Sequence, residues 1–289
     1  MDNFRGAVLM VLSMVGFALE DMFIKLLADA ISVGQILTML GIGGSLVFGA
    51  IVVAKGEALF ARNMLSAPIF LRGIGDLVGA LAFVSAIVLT PISSASAILQ
   101  ATPLAVTLGA AIFLREAVGW RRWSAIVVGL MGVLLIIRPG LDSFEVLSLL
   151  ALLAVFALAL RDLATRKTPS SISTMQLSFL GFVVIIPAGI LLMVFTGSTV
   201  VALDVTEWTY ICAALAIGLF AYYGIVAAMR IGDVGFVTPF RYVRLVIALV
   251  IGVTVFGESP DALTLIGAAI IVASGIYTIL RERKMRTNT

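Results

Sequence analysis

The sequence contains no histidine, a single cysteine and few charged residues. Because there is no second cysteine, Cys212 cannot form an internal disulfide, and without histidine a metal site of the usual ligands is not expected. The sequence also lacks a glycine-rich phosphate loop of the Walker type, which argues against ATP hydrolysis. Charged residues make up only 12% of the 289 positions, about half of the roughly 25% found in soluble domains. Water is therefore not the main solvent of this chain.

Apolar segments follow one another along the whole chain, and a membrane-spanning helix needs about 20 such residues. Their limits predict ten spans: Phe4–Leu27, Ser32–Ala54, Pro68–Leu89, Ser93–Leu114, Trp120–Ile137, Val146–Thr165, Ile172–Phe195, Trp208–Met229, Val234–Phe256 and Leu263–Leu280. The connections are too short to fold separately. We therefore expect an all-α integral membrane protein, and an even number of spans places both termini on one side.

The basic residues are distributed unevenly over the two sets of connections. With the N-terminus inside, fifteen of them lie on the inner side and only Lys25 and Arg138 on the outer side, while Arg241 and Arg244 lie within the ninth span. Cytoplasmic connections carry such an excess, so both termini are predicted to be cytoplasmic. The basic residues form no stripe with interleaved aromatics, which indicates a lipid bilayer and not nucleic acid as the partner.

A shift of 141 residues superposes two parts of the sequence. It aligns residues 31–35 with residues 172–176, Asp21 with Asp162, and Lys25 with Arg166. Several matches in order at one offset favour a duplicated unit of five spans.

The duplication predicts the domain organisation. Because five is an odd number, the second unit must enter the membrane upside down relative to the first. We expect residues 1–140 and 141–280 to form two inverted repeats, followed by a basic cytoplasmic tail of residues 281–289. Inverted repeats are typical of secondary transporters, whose substrate site lies near the middle of the membrane between the repeats.

The stretch Thr90–Gly132 has a pattern of its own. It contains a turn of small residues, a helix with Pro103 in its middle, the sequence Leu-Arg-Glu at the helix end, and a helix rich in glycine; the stretch Gly232–Gly275 repeats the pattern. In these features the whole chain resembles the EamA-type branch of the drug/metabolite transporter superfamily. Within it, the chain is similar to YddG-type amino acid exporters. Lys25 matches the family, whereas the family's Trp-Gly pair in the first helix is Phe-Ala here.

The resemblance implies a secondary transporter of small organic metabolites in the inner membrane. It implies export of amino acids, including aromatic ones, by alternating access. An uptake permease for a vitamin or a nucleotide-like metabolite is the alternative within this class. A passive channel is a further alternative, and a membrane-embedded enzyme is disfavoured by the lack of histidine. We expect no cofactor, and a monomer or weak homodimer.

Ionisable residues inside the predicted spans are candidates for a functional site, since each costs about 2.5 to 3.5 kcal/mol at the bilayer centre. Asp76 lies about two turns into the third span, and Phe83 follows seven residues later on the same face. Arg241 and Arg244 share a face of the ninth span. All four residues are predicted to bind the substrate or to take part in coupling its transport. The structural alternative is a permanent ion pair of Asp76 with Arg241, Arg244 or Arg72.

Further candidates extend this site. Tyr222 in the eighth span and Tyr242 in the ninth are predicted to contact the side chain of the substrate, and Gln100 in the fourth span is a candidate for substrate binding. Glu20 is a candidate for coupling or gating, because its repeat partner is Arg161 and the symmetry is broken there.

Two pairs of opposite charges, four residues apart, occupy equivalent ends of the first helix in each half. Asp21 with Lys25 and Asp162 with Arg166 are predicted to be structural ion pairs.

An amino acid matches the predicted site in both charges. Its carboxylate is expected to take a two-pronged hydrogen bond from Arg241 or Arg244. Its ammonium group is expected to bind Asp76 or Glu20.

Overall fold

The structure is a computed structural model that describes residues 2–60, 64–113, 119–138, 145–169, 171–231 and 238–286. Its elements are α1 Asp2–Leu27, α2 Val33–Ala54, α3 Ala67–Leu89, α4 Ile92–Leu99, α5 Thr102–Phe113, α6 Trp120–Ile137, α7 Ser148–Arg166, α8 Thr174–Thr196, α9 Val205–Ile231, a 3-10 turn Thr238–Tyr242, α10 Val243–Thr254 and α11 Ala262–Arg286. The fold is helical, as the sequence predicts. Among the described residues, seven helical stretches are long and apolar enough to cross a membrane, and two shorter apolar helices, Trp123–Ile137 and Ala262–Tyr277, accompany them.

The fourth predicted span is interrupted. It consists of α4 and α5, which are separated at Gln100 and Ala101. Pro103 has no backbone N–H, so it cannot bond to the Leu99 carbonyl and continue the helical ladder. The Thr102 hydroxyl donates to that carbonyl at 2.6 Å instead. A continuous helix was therefore the wrong expectation for this span.

The described part of the ninth predicted span is also divided, into the 3-10 turn and α10. The 3-10 turn carries Arg241, and the first turn of α10 carries Arg244. At the end of the chain, α11 continues to Arg286, beyond the predicted limit at Leu280. The basic tail is therefore helical up to Arg286.

Helices of the two halves pack on each other in pairs. The main pairs are α1 with α9, α3 with α7, α2 with α8, and α6 with α11. Under the repeat, α1 corresponds to α7 and α3 to α9, so the first two pairs are equivalent. The other two pairs each join helices that correspond to each other. This is the packing expected of two repeats related by a two-fold axis.

The repeat is also visible in the helix caps. Ser32 caps α2 by accepting a hydrogen bond from the Gln35 amide, and Ser173 caps α8 through Gln176 in the same way. Each glutamine side chain then reaches a loop of the other half: Gln35 binds both backbone groups of Val201, and Gln176 donates to the Ala58 carbonyl. Residues aligned by the 141-residue shift therefore make equivalent contacts.

Glycine permits the close approach of α6 and α11. A side chain at Gly132 would meet the Gly267 carbonyl, and one at Gly267 would meet the Gly132 carbonyl. Small residues allow such backbone contact between membrane helices.

A polar contact joins the C-terminal end of α6 to the N-terminal end of α11. Arg138, which follows α6, forms an ion pair with Asp261, and Asp261 accepts a hydrogen bond from the Thr264 amide at 2.9 Å. Asp261 is half exposed, with 50% of its side-chain surface accessible. The hydrogen bonds from Arg138 and Thr264 hold the pKa of the Asp261 carboxyl below its usual range.

Candidate substrate site

Charged side chains from four parts of the bundle meet in its interior. Helix α1 supplies Glu20 and Asp21, α3 supplies Arg72 and Asp76, α7 supplies Arg161 and Asp162, and the ninth segment supplies Arg241 and Arg244. We call these eight residues the central charge cluster. It contains four acidic and four basic groups, so its formal charge is zero. Charges this deep in a membrane protein are costly and mark functional sites unless they are paired.

Asp21 and Arg244 form the most complete pair in the cluster. Arg244 donates three hydrogen bonds of 2.7 to 3.1 Å to the two carboxylate oxygens of Asp21. The guanidinium also lies 5.2 Å from the ring centres of both Phe17 and Phe83. Arg244 is thus held by a bidentate ion pair and two cation–π contacts, all within the protein.

The predicted pair of Asp21 with Lys25 is therefore wrong. Asp21 is almost fully buried, with 4% of its side chain exposed, and needs a partner that satisfies both oxygens. The fork of Arg244 does this, whereas a lysine ammonium offers no planar fork. Lys25 instead pairs with Glu258 at 3.3 Å, at the end of α1.

The predicted pair of Asp76 with Arg241 or Arg244 is also wrong. Asp76 binds Arg72 at 2.7 Å, one turn earlier on α3, and lies 3.9 Å from Arg161. Arg72 donates further hydrogen bonds to the Leu177 carbonyl and to Thr165. Residues four apart on one helix already lie side by side, so Arg72 and Asp76 can pair without the approach of a second helix. The alternative pairing with Arg72 is thus the one observed.

The second predicted structural pair is only partly described. Asp162 forms an ion pair with the preceding Arg161 at 2.8 Å, and the side chain of Arg166 lies outside the described part of the structure. Arg161 and Asp162 keep 27% and 29% of their side-chain surface accessible, although charged groups of other helices surround them.

Glu20 and Arg241 are the two members of the cluster outside these pairs. In the described part of the chain, neither side chain has an ion-pair or hydrogen-bond partner. The Glu20 carboxylate lies against Gly218 of α9, where a larger residue would overlap it. Glu20 interacts electrostatically with Asp21 and Arg244, and Arg241 interacts with Asp162, Arg161 and Arg244 without a direct ion pair among the described residues. One negative and one positive group thus flank the Asp21–Arg244 pair without partners of their own.

Gln100 holds the backbone of Arg241, the arginine of the cluster that has no ion-pair partner in the described part of the structure. Its side-chain amide donates to the Arg241 carbonyl at 3.1 Å. The contact joins the break between α4 and α5 in the first half to the 3-10 turn in the second half. Gln100 itself is buried, and it positions Arg241 instead of facing open space.

The predicted aromatic candidates differ in their surroundings. Tyr222 is partly buried, packs edge-on against Phe48 with ring centres 5.5 Å apart, and interacts electrostatically with Arg161. Tyr242 and Phe83 are buried. The Tyr242 hydroxyl lies against Gly275 without a hydrogen-bond partner among the described residues. Only Tyr222 of these three is both accessible and close to the cluster.

A large groove lies elsewhere, between α3 and α8. Its volume is about 960 Å³, and its lining is apolar apart from Ser66 and Arg72. Phe60, Leu65 and Phe70 are exposed at its edge. Because Arg72 is already bound to Asp76, the groove offers little to a polar ligand and is not our candidate site.

Phe17 and Arg161 contribute to the cluster without having been predicted as site residues. Arg161 was detectable, because it replaces Glu20 at the equivalent position beside an aspartate. Phe17 carries no such signal. Among the described residues, no group of three or more His, Cys, Asp or Glu side chains is arranged to hold a metal ion.

A bundle of apolar helices around a balanced charge cluster defines a class of protein, the multi-pass membrane transporter. The chain belongs to the EamA-like transporter family, whose profile matches residues 4–138 and again residues 147–281. It is accordingly a multi-pass protein of the inner membrane. Members of this family are transporters and not enzymes.

Three relatives cover much of the chain. The riboflavin transporter of Vibrio cholerae is 32% identical over 67% of this chain and 64% of its own length. The S-adenosylmethionine uptake transporter of Rickettsia prowazekii is 28% identical over 82% of this chain and 81% of its own length. The pseudopaline exporter of Pseudomonas aeruginosa is 25% identical over 94% of each chain. The chain thus spans less than two thirds of the first relative, and none of the three is named an amino acid exporter.

Proposed function

We propose that this protein is a secondary transporter of small zwitterionic metabolites, in the first place amino acids, including aromatic ones, which it exports across the inner membrane. The observation that carries the proposal is the incomplete pairing of the central charge cluster. Three acid–arginine pairs leave Arg241 and Glu20 as single charges of opposite sign. A ligand with one carboxylate and one ammonium group completes the pairing.

The chemistry of the two free groups matches the two ends of an amino acid. The planar guanidinium of Arg241 suits a carboxylate, which it binds through two parallel hydrogen bonds. The Glu20 carboxylate accepts hydrogen bonds from an ammonium group. Arg244, which the sequence offered as an alternative carboxylate site, is occupied by Asp21. Asp76, the alternative ammonium site, is occupied by Arg72.

The side chain of the substrate is expected to contact Tyr222. Aromatic surface binds by area and shape and tolerates several side chains, because little of that contact is directional. Broad amino acid specificity, with aromatic amino acids included, follows from such a site.

Transport is proposed to occur by alternating access. The cluster joins residues of both halves, so a rocking motion of one half against the other would expose it to each side in turn. The energy source is an ion or solute gradient, since the sequence lacks the phosphate loop that ATP hydrolysis would require.

A second candidate function is uptake of a vitamin or nucleotide-like metabolite. The names of the Vibrio cholerae and Rickettsia prowazekii relatives favour it. S-adenosylmethionine contains an amino acid group attached to a nucleoside, so the same pair of charges would bind it. Riboflavin has no such group, and its transport would need contacts other than Arg241 and Glu20.

Flux through proteoliposomes tests the proposal. Amino acids, their amides, their decarboxylated amines, S-adenosylmethionine and riboflavin are compared in the parent protein and in Arg241→Gln, with Arg5→Gln as the matched control on the exposed first turn of α1. We expect amino acids to move in the parent and in Arg5→Gln but not in Arg241→Gln. Equal transport of amides and amines would refute the carboxylate contact, and transport of riboflavin alone would favour the second function. Loading the substrate inside or outside the vesicles gives the direction.

A further inference from the structure

One carboxylate joins three separate segments at the end of α1. Glu258, in the connection between α10 and α11, accepts hydrogen bonds from the Ile92 amide at 2.6 Å, the Ser93 amide at 3.1 Å and the Ser93 hydroxyl at 2.6 Å. Its fourth donor is Lys25 at 3.3 Å. Glu258 of the second half therefore caps the first turn of α4 in the first half and pairs with α1. Negative charge stabilises this end of a helix.

Lys25 strengthens the same junction. Its ammonium group donates to the Thr90 carbonyl at 2.7 Å and lies 5.1 Å from the ring centre of Phe256. Thr90 ends α3, and Phe256 follows α10. The Lys25–Glu258 pair thus connects α1 with the ends of α3, α4 and α10. We call this set of contacts the Lys25–Glu258 latch.

The latch lies between a polar cavity and the central charge cluster. On one side is a cavity of about 350 Å³ that is lined by Ser93, Ser94, Glu145, Ser148, Glu258 and Asp261. On the other side, Lys25 follows Asp21 by four residues on α1, a rise of about 6 Å. The latch therefore contacts the polar cavity through Glu258 and lies one turn of α1 from Asp21 of the cluster.

We infer that the Lys25–Glu258 latch is the gate that closes the central site from this polar cavity, on the face that the distribution of basic residues predicts to be outside. The inference rests on the proposed transport function. Opening the gate separates Glu258 from Lys25 and from the first turn of α4. Glu258 already lines the polar cavity, so water that enters there can hydrate its charge once the pair separates.

Labelling of a buried cysteine tests the gate without any substrate. Ser96 lies one turn beyond Ser93 on α4, is 2% exposed, and its hydroxyl has no hydrogen-bond partner among the described residues. Ser96→Cys is introduced into a Cys212→Ser background, and its reaction with a water-soluble thiol reagent is followed in the purified protein. The closed latch predicts slow labelling in the parent. Glu258→Gln and Lys25→Gln are each expected to label about tenfold faster, because each removes charge-assisted hydrogen bonds.

Control variants separate gating from unfolding. Glu145→Gln changes an acidic residue of the same cavity outside the latch and is expected to leave the labelling rate unchanged. Lys25→Arg keeps the charge and is expected to label nearly as slowly as the parent, and thermal unfolding midpoints identify any variant that has lost its fold. Unchanged labelling in both Glu258→Gln and Lys25→Gln would overturn the gate, as would equally fast labelling in Glu145→Gln. Failure of the transport function would instead appear as absent flux in every variant, with the labelling pattern intact.

Discussion

Removal of one partner from the Asp21–Arg244 pair is expected to destabilise the protein strongly. The perturbation is Asp21→Asn, which keeps the size of the side chain and removes its charge. Arg244 would lose the negative charge of its partner and one of the two acceptor oxygens that take its three hydrogen bonds, while its contacts with Phe17 and Phe83 remain. The side chains of Asp21 and Arg244 are only 4% and 17% exposed, so water cannot replace the lost partner.

The expected cost follows from this burial. Leaving one charge of a buried pair without its partner costs about 3 to 5 kcal/mol in soluble proteins. Interactions between helices within membranes are weaker than the corresponding transfer values suggest, so we expect about 3 kcal/mol. The reverse variant, Arg244→Gln, should cost a similar amount. The double variant removes both charges, and its cost should be about 2 kcal/mol smaller than the sum of the single costs.

Denaturant unfolding in detergent micelles measures these free energies. Asp261→Asn is the matched control, since Asp261 pairs with Arg138 but is 50% exposed, and an exposed ion pair contributes at most about 1 kcal/mol. A loss of stability in Asp21→Asn no larger than in Asp261→Asn would refute the reasoning. Additive costs in the double variant would show that the two charges do not interact.

Three further predictions concern topology, packing and pH. A cysteine at Ala30 should react with an impermeant reagent added outside intact cells, whereas one at Asn63 should not; labelling at Asn63 would reverse the orientation. Gly132→Leu should lower the free energy of unfolding by about 2 kcal/mol, because the added side chain meets backbone of the neighbouring helix. Gly119→Leu has open space around it and should cost less, at most about 1 kcal/mol from the loss of glycine at the N-cap of α6. The pKa of Asp261 is lowered in the folded state, so its ionised carboxylate stabilises the fold at pH values above its unfolded pKa of about 4. This contribution is lost as the pH falls below that value. The thermal unfolding midpoint of Asp261→Asn should therefore depend less on acid pH than that of the parent.

The helical elements were predictable from the sequence because apolar length and short connections determine them. The predicted limits of α6 agree with the structure at both Trp120 and Ile137. The repeat was predictable too, since Gln35 and Gln176 occupy equivalent positions and make equivalent contacts. The interruption at Gln100 was harder to predict, although Pro103 marks the region, because apolar composition continues through the break.

The composition of the candidate site was predictable, but its pairing was not. Glu20, Asp76, Arg241 and Arg244 were identified as buried charges, and all four lie in the central charge cluster. Which charges pair depends on how helices from different halves approach each other. The predicted partner was wrong for Asp21, which pairs with Arg244, and for Asp76, which pairs with Arg72, the alternative four residues earlier on the same helix.

Equilibrium binding tests whether Arg241 binds the carboxylate of the substrate and Glu20 binds its ammonium group. Because the two contacts lie on different residues, each can be removed separately. Titration calorimetry of the purified protein compares an amino acid, its decarboxylated amine and its deaminated acid in the parent, in Arg241→Gln and in Glu20→Gln. We expect Arg241→Gln to weaken binding of the amino acid and of the acid by about tenfold or more and to leave binding of the amine unchanged. Glu20→Gln should weaken binding of the amino acid and of the amine and leave binding of the acid unchanged. If either variant weakened binding of all three ligands equally, the two proposed contacts would be contradicted, because a general loss of the site would then explain the result.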